Sequence, residues 1–126
     1  MFGKKKNNVI KVCHYEGLVD FIQDYPCQIS VADDVFTIEK IKPTATVTLP
    51  MERIIKFEAM SEIEFMKKYH NCSVEINKIP RNFLVVTYTS KNNTTEYIAF
   101  WAAGFEMKKL IDLQYKYIKN SNSYSL

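Results

Sequence analysis

The chain has little of what usually marks a reaction centre. Three glycines and four prolines in 126 residues leave no linker, no low-complexity stretch and no glycine-rich loop able to cradle a phosphate. There is no internal repeat. No uninterrupted apolar run approaches the ~18 residues needed to cross a bilayer. The start, Met1 to Asn8, is basic but lacks the apolar segment of a secretory signal. Cys13, Cys27 and Cys72 are an odd number in a chain without an export signal. Free thiols in a reducing, cytoplasmic compartment are the economical reading. The glycosylation patterns at Asn71 and Asn93 then carry no meaning.

What is present is core-forming material. Hydrophobic residues make up 47% and charged residues 25%, enough to build a core without metals or disulfides and too apolar for disorder. Net charge is +3, and Lys4, Lys5, Lys6 and Lys11 supply four positive charges before the first acid, Glu16, so the remainder stands at −1. The sequence therefore predicts a basic flexible tail over 1–10, one domain over 11–119 and a frayed end over 120–126.

Two-residue alternation begins at Cys27. Ile29 and Val31 alternate with Gln28, Ser30 and Ala32, and Asp33-Asp34 makes a tight turn. Phe36 and Ile38 complete a hairpin, Lys42-Pro43 breaks the run, and Ala45, Val47 and Leu49 alternate with threonines. Arg53 to Glu58 reads as a further strand. Ser61-Glu62-Ile63-Glu64 fits a capping box and favours a short helix or irregular turn, although a strand continuing through Ile63 and Phe65 competes with it. Val74-Glu75-Ile76 offers another short strand. Phe83–Thr89 and Glu96–Trp101 flank the turn-forming Ser90–Thr94 and are apolar on both faces, as central strands are. The last element is an amphipathic helix. Met107, Leu110, Ile111, Gln114 and Ile118 form its stripe, Leu113 and Tyr117 widen it, and Lys108–Asp112 and Asp112–Lys116 pair on the exposed side.

The fold class expected is thus mainly β (α+β), an antiparallel barrel of about seven short strands closed by one C-terminal amphipathic helix. Such a meander resembles the pleckstrin-homology (PH) or GRAM-like barrel, and small bacterial PH-like proteins in particular. The resemblance rests on His14-Tyr15-Glu16-Gly17-Leu18, Cys27-Gln28-Ile29-Ser30-Val31, Phe36-Thr37-Ile38, Phe83–Ser90 and the Phe-Gly-Lys-Lys start, and spans roughly Lys11 to Tyr117. It implies a binding or assembly module without a reaction. Many such proteins carry a glycine-rich apolar insertion between the positions of Ala59 and Asn82. Here that segment is charged and glycine-free, which argues against membrane insertion by it.

Candidate chemistry is weighed against plainer explanations. Cys13-His14 with His70-Asn71-Cys72 offers a zinc-compatible ligand set, but the spacing fits no standard finger and neighbours on a strand point to opposite faces. No metal and no cofactor are expected. A thiol nucleophile at Cys72 beside His14 or His70 lacks an orienting third group. Glu62 with Glu64, and Asp33 with Asp34, are explained by capping and turn chemistry. The near-neutral body gives no nucleic-acid footprint, and no small-molecule substrate suggests itself.

Lys4, Lys5 and Lys6 beside Phe2 are the candidates for contact with an anionic membrane. If the fold is PH-like, Lys40 and Lys42 near the turn between the second and third strands join them. The expected function is a non-enzymatic adaptor that engages a protein partner or its own copies through a barrel edge, beside Val35–Ile41 or Arg53–Glu58. The alternative is peripheral membrane association through the basic tail and that turn.

Overall fold

A computed structural model describes residues 9–40, 44–73 and 80–117. Lys4, Lys5, Lys6 and Lys42, the strand expected at Val74–Ile76, Ile118 of the helical stripe and the expected tails apart from Val9 and Ile10, the latter buried in the first strand, lie outside the described residues, as does Lys42-Pro43 as a strand break. Seven strands form one antiparallel sheet: β1 (Ile10–Glu16), β2 (Tyr25–Ala32), β3 (Val35–Lys40), β4 (Ala45–Pro50), β5 (Ile54–Ser61), β6 (Arg81–Thr89) and β7 (Thr95–Ala103). Helix α1 (Glu62–His70) lies between β5 and β6, and α2 (Phe105–Lys116) follows β7. In space the strands run β4-β3-β2-β1-β7-β6-β5.

The order makes β4 and β5 the two edges, although only the 3-10 turn Met51–Arg53 separates them in sequence. Pro50 and Ile54 are four residues apart and lie within about 14 Å of each other at most. The sheet must therefore curl until its edges are near neighbours. No ladder joins β4 to β5 among the described residues, so the expected closed barrel is an open, curled sheet. The resulting interior is filled by alternate residues of every strand, among them Val12, Ile29, Phe36, Phe57, Leu84 and Phe100, with Leu110 of α2.

Helix α2 bridges the two halves of this curl. Glu106 Oε1 accepts from the β1 backbone N–H of Lys11 at 3.2 Å. Gln114, a polar residue on the apolar stripe, accepts from the β5 N–H of Ala59 at 2.6 Å. Lys108 pairs with Asp112 at 3.6 Å on the exposed side, as its spacing requires.

The capping box predicted at Ser61 is formed. Glu64 N–H donates to Ser61 Oγ, and Ser61 N–H donates to Glu64 Oε1. It starts α1 directly from the end of β5 and rules out the competing strand through Phe65. Helix α1 lays Phe65 and Met66 on the outer face of the sheet, against Phe83, Val85 and Ala99. Strand β6 is consequently buried on both sides, which accounts for its unbroken apolar run.

Positive-φ positions fix the β2–β3 hairpin and the chain's exit from β1. Asp33 and Asp34 hold φ of 54° and 62°, with Ala32 opposite Val35, the positive-φ pair of a type I′ turn. Gly17 has φ +115°, and a Cβ there would lie 2.6 Å from the Tyr97 carbonyl oxygen and 2.7 Å from Ile98 Cα. Gly17→Ala should therefore lower stability by at least about 2 kcal/mol, read as a lower urea midpoint with an unchanged slope. Asp34→Gly, which relieves an L-residue held at positive φ, should raise Tm by about 2–4 °C.

Candidate functional site

The candidate site grows from strand β1, which sequence alternation did not assign. Its inward positions are Ile10, Val12 and His14, and a histidine in an apolar series interrupts the hydrophobic period. His14 is 1% exposed. The backbone N–H of Leu18 donates to its Nε2 at 3.2 Å, so Nε2 is unprotonated and Nδ1 carries the hydrogen that meets the Ile22 carbonyl at 3.1 Å. The neutral ring thus bridges both sides of the β1–β2 loop, residues 17–24. Burial holds its pKa below the ordinary value, outweighing the Ile22 carbonyl and Glu16.

The loop is fastened further. Asp24 N–H donates to the His14 carbonyl and Phe21 N–H to the Leu18 carbonyl, while the Phe21 ring is buried in the main core. Lys40, at the end of β3, donates to the Asp20 carbonyl at 2.7 Å and lies over the rings of Phe21 and Tyr25. Because β1 precedes the strands read from sequence, the turn next to Lys40 connects β3 to β4. Lys40 braces the neighbouring loop. With this many attachments the loop holds Val19 and Ile22 outward, 96% and 69% exposed.

A second constellation lies on the outer face, between α1 and the sheet. Glu16 Oε2 accepts from Tyr97 OH at 2.5 Å and lies 2.9 Å from His70 Nε2. Glu58 accepts from Tyr69 OH at 2.9 Å and Lys68 Nζ at 3.0 Å, and the Tyr69 and Tyr97 rings meet at 4.8 Å. Burial and the bond to Glu58 push the Tyr69 hydroxyl up to about 12, and burial with Glu16 pushes Tyr97 up as well. Arg81 forks onto Glu62 with contacts of 3.1 and 3.0 Å and covers the Trp101 ring at 4.6 Å. The Trp101 indole N–H donates to Asp24 at 2.7 Å. Each of these groups is matched within the chain, and together they pin α1 and the start of β2 to the sheet.

The zinc and thiol readings do not assemble. His14 points into the main core, His70 bonds Glu16, and Cys72 is exposed. Burial raises the Cys13 thiol and pushes Cys27 up to about 12, the opposite of nucleophile activation. Among the described residues no group of three or more His, Cys, Asp and Glu side chains could hold a metal ion. No described helix is long and apolar enough to cross a membrane. Neither a protein-family model nor a curated protein matches the chain.

The His14 geometry sets a pH dependence. The folded state holds the imidazole neutral while the unfolded chain protonates near the ordinary value of 6.5. Below that value the unfolded state binds more protons, and stability falls as pH drops toward the folded pKa. The urea midpoint should be lower at about pH 5.5 than at about pH 7.5, and His14→Asn should flatten that difference.

Proposed function

We propose that this chain is a non-catalytic, PH-like binding module that engages a protein partner, or its own copies, by strand addition along β4. The antiparallel strand order and the helix that follows β7 support the PH-like part of this reading. The open sheet and α1, inserted between β5 and β6, are where the chain goes its own way.

The observation that carries the binding mode is the free edge of β4. Among the described residues β4 pairs only with β3, with Val35 opposite Pro50 and Lys40 opposite Ala45, so its other backbone row is unpaired. The expected edge at Val35–Ile41 is corrected by the same ladder, since β3 is paired on both sides by β2 and β4. Strand β5 is an edge as expected from Arg53–Glu58, but Gln114 already takes the N–H of Ala59. That leaves β4, six residues with Thr46 and Thr48 exposed and no lysine to discourage pairing. A partner strand would gain main-chain hydrogen bonds there. A cytoplasmic setting fits the three free cysteines, one of them exposed.

Lysine on an edge strand blocks strand addition without disturbing a solvent-facing position. Thr46→Lys with Thr48→Lys should weaken partner capture or self-association at least about tenfold while leaving the thermal melt unchanged. Sedimentation velocity and quantitative affinity capture, wild type against variant, would measure this. A wild type that is strictly monomeric and retrieves no partner, or a variant that behaves like it, refutes the reading.

A further inference from the structure

We propose that the chain assembles head to tail, the β1–β2 loop of one copy docking into a groove beside α2 of the next. This contact is separate from the β4 edge and does not depend on it. The donor surface is the loop that His14 fastens, with Val19 and Ile22 held in solvent. Aliphatic side chains on a flexible loop would fold back or move freely. Here backbone bonds at Leu18, Asp20, Ile22 and Asp24 fix them outward, and a pre-ordered apolar projection binds without the usual loss of loop freedom.

The acceptor surface is a groove of about 240 Å³ between α2 and the far end of the β1–β2 hairpin, lined by Val9, Val31, Leu113 and Tyr117 together with Lys109 and Lys116. That exceeds the ~150 Å³ of an apolar cavity that takes up benzene, so aliphatic side chains fit. Charge selects the occupant. Asp112 also lines the groove but faces Lys108, and Lys109 is matched by Glu106. Lys116 makes no ion pair among the described residues and lies near its neighbour's ring. On the loop, Asp24 is taken by Trp101 and Arg81. The Asp20 carboxylate, between Val19 and Ile22 in the chain, makes no ion pair among the described residues. The loop thus presents two aliphatic groups flanking an acid whose carboxylate makes no ion pair among the described residues, though Lys40 holds its backbone carbonyl, and the groove presents apolar side chains beside Lys116.

Topology excludes a contact between this loop and the groove of the same copy. Ile10, at the groove, pairs with Ile29, while His14, at the loop, pairs with Tyr25. The two surfaces sit at opposite ends of β1, roughly 20 Å apart, and the pinned loop cannot reach its own groove. Each copy therefore has one donor and one acceptor, a heterologous arrangement that continues as a chain or closes as a ring.

The test uses the full chain in sedimentation velocity over a concentration series. Wild type should gain mass with concentration. A loop variant (Val19→Ser with Ile22→Ser) and a groove variant (Val9→Glu with Lys116→Glu) should each self-associate at least about tenfold more weakly, with thermal melts like wild type. Mixed together they should form a one-to-one complex, because each keeps the surface that the other lacks. If a double variant does not fold, the surface swaps Asp20→Lys and Lys116→Glu replace it; each alone should be monomeric, and their mixture should associate. A wild type that stays monomeric, or variants that assemble normally, overturns the proposal. So does a mixture that remains monomeric. Assembly abolished by the β4 lysines but untouched by the loop variant would overturn it in favour of the edge.

Discussion

The short ladder between β1 and β7 is the joint on which the molecule depends. Strands β1 to β4 form one meander and β5 to β7 another, and in strand pairing among the described residues they meet only where Cys13 faces Trp101, His14 faces Phe100 and Glu16 faces Ala99. The register slips between His14 and Glu16. One extra residue there increases local twist, and Tyr15 sends its ring to the outer face, edge-on to both Phe65 and Phe83. Directly after the slip, Gly17 passes against the β7 backbone with no room for a side chain. Across this joint Phe36 of the first meander reaches Phe57 and Phe100 of the second, with centroid separations of 5.5 and 6.3 Å. The main core spans both halves because the joint brings them together.

On the outer face, magnitudes decide what holds α1. The pairs Glu16–His70 and Glu58–Lys68 are partly exposed, and such pairs are worth about 0–1 kcal/mol each. The Phe65 ring stacks on Phe83 at 4.4 Å and 9°, contributing about 0.5–1.5 kcal/mol beyond its full burial. Packing of Phe65 and Met66 therefore anchors the helix, and the polar network ties its last turn to the sheet. That is a positioning task, and it accounts for His70, which the sequence offered as a partner for a thiol.

Local signals in the sequence were legible because local chemistry determines them. The Asp33-Asp34 turn, the Ser61–Glu64 capping box and the β6–β7 hairpin each follow from residues within a few positions of one another, while the stripe read for α2 holds at Leu110 and Gln114 but not at Ile111, which is exposed. Strand β1 was not legible, since its third inward position is His14, a polar residue whose partners are backbone groups of the following loop. The openness of the sheet was not legible either, because closure depends on how the edge strands meet and no residue pattern encodes it. The edge assigned to Val35–Ile41 failed for the same reason: strand character is local, whereas an edge belongs to the whole sheet. Val19 and Ile22 are apolar, and only the fold shows them outside the core.

A buried polar group beneath an exposed apolar loop inverts the usual arrangement, and the inversion has a physical consequence. Burying His14 is unfavourable unless both ring nitrogens are satisfied, and here the loop backbone satisfies both. The histidine and the loop therefore stabilise one another, and loosening either releases the other. Replacing His14 with an aliphatic residue could fill the core equally well, but it would leave the Leu18 N–H and the Ile22 carbonyl without partners. The loop would keep its ties through Phe21, Asp24 and Lys40 but lose two of the bonds that hold Val19 and Ile22 in water. A sequence that keeps a satisfied histidine at this position keeps two aliphatic side chains in water, and the Asp20 carboxylate between them sets the sign of the surface that they suit. The acid disfavours an anionic bilayer and favours an apolar site with a basic margin.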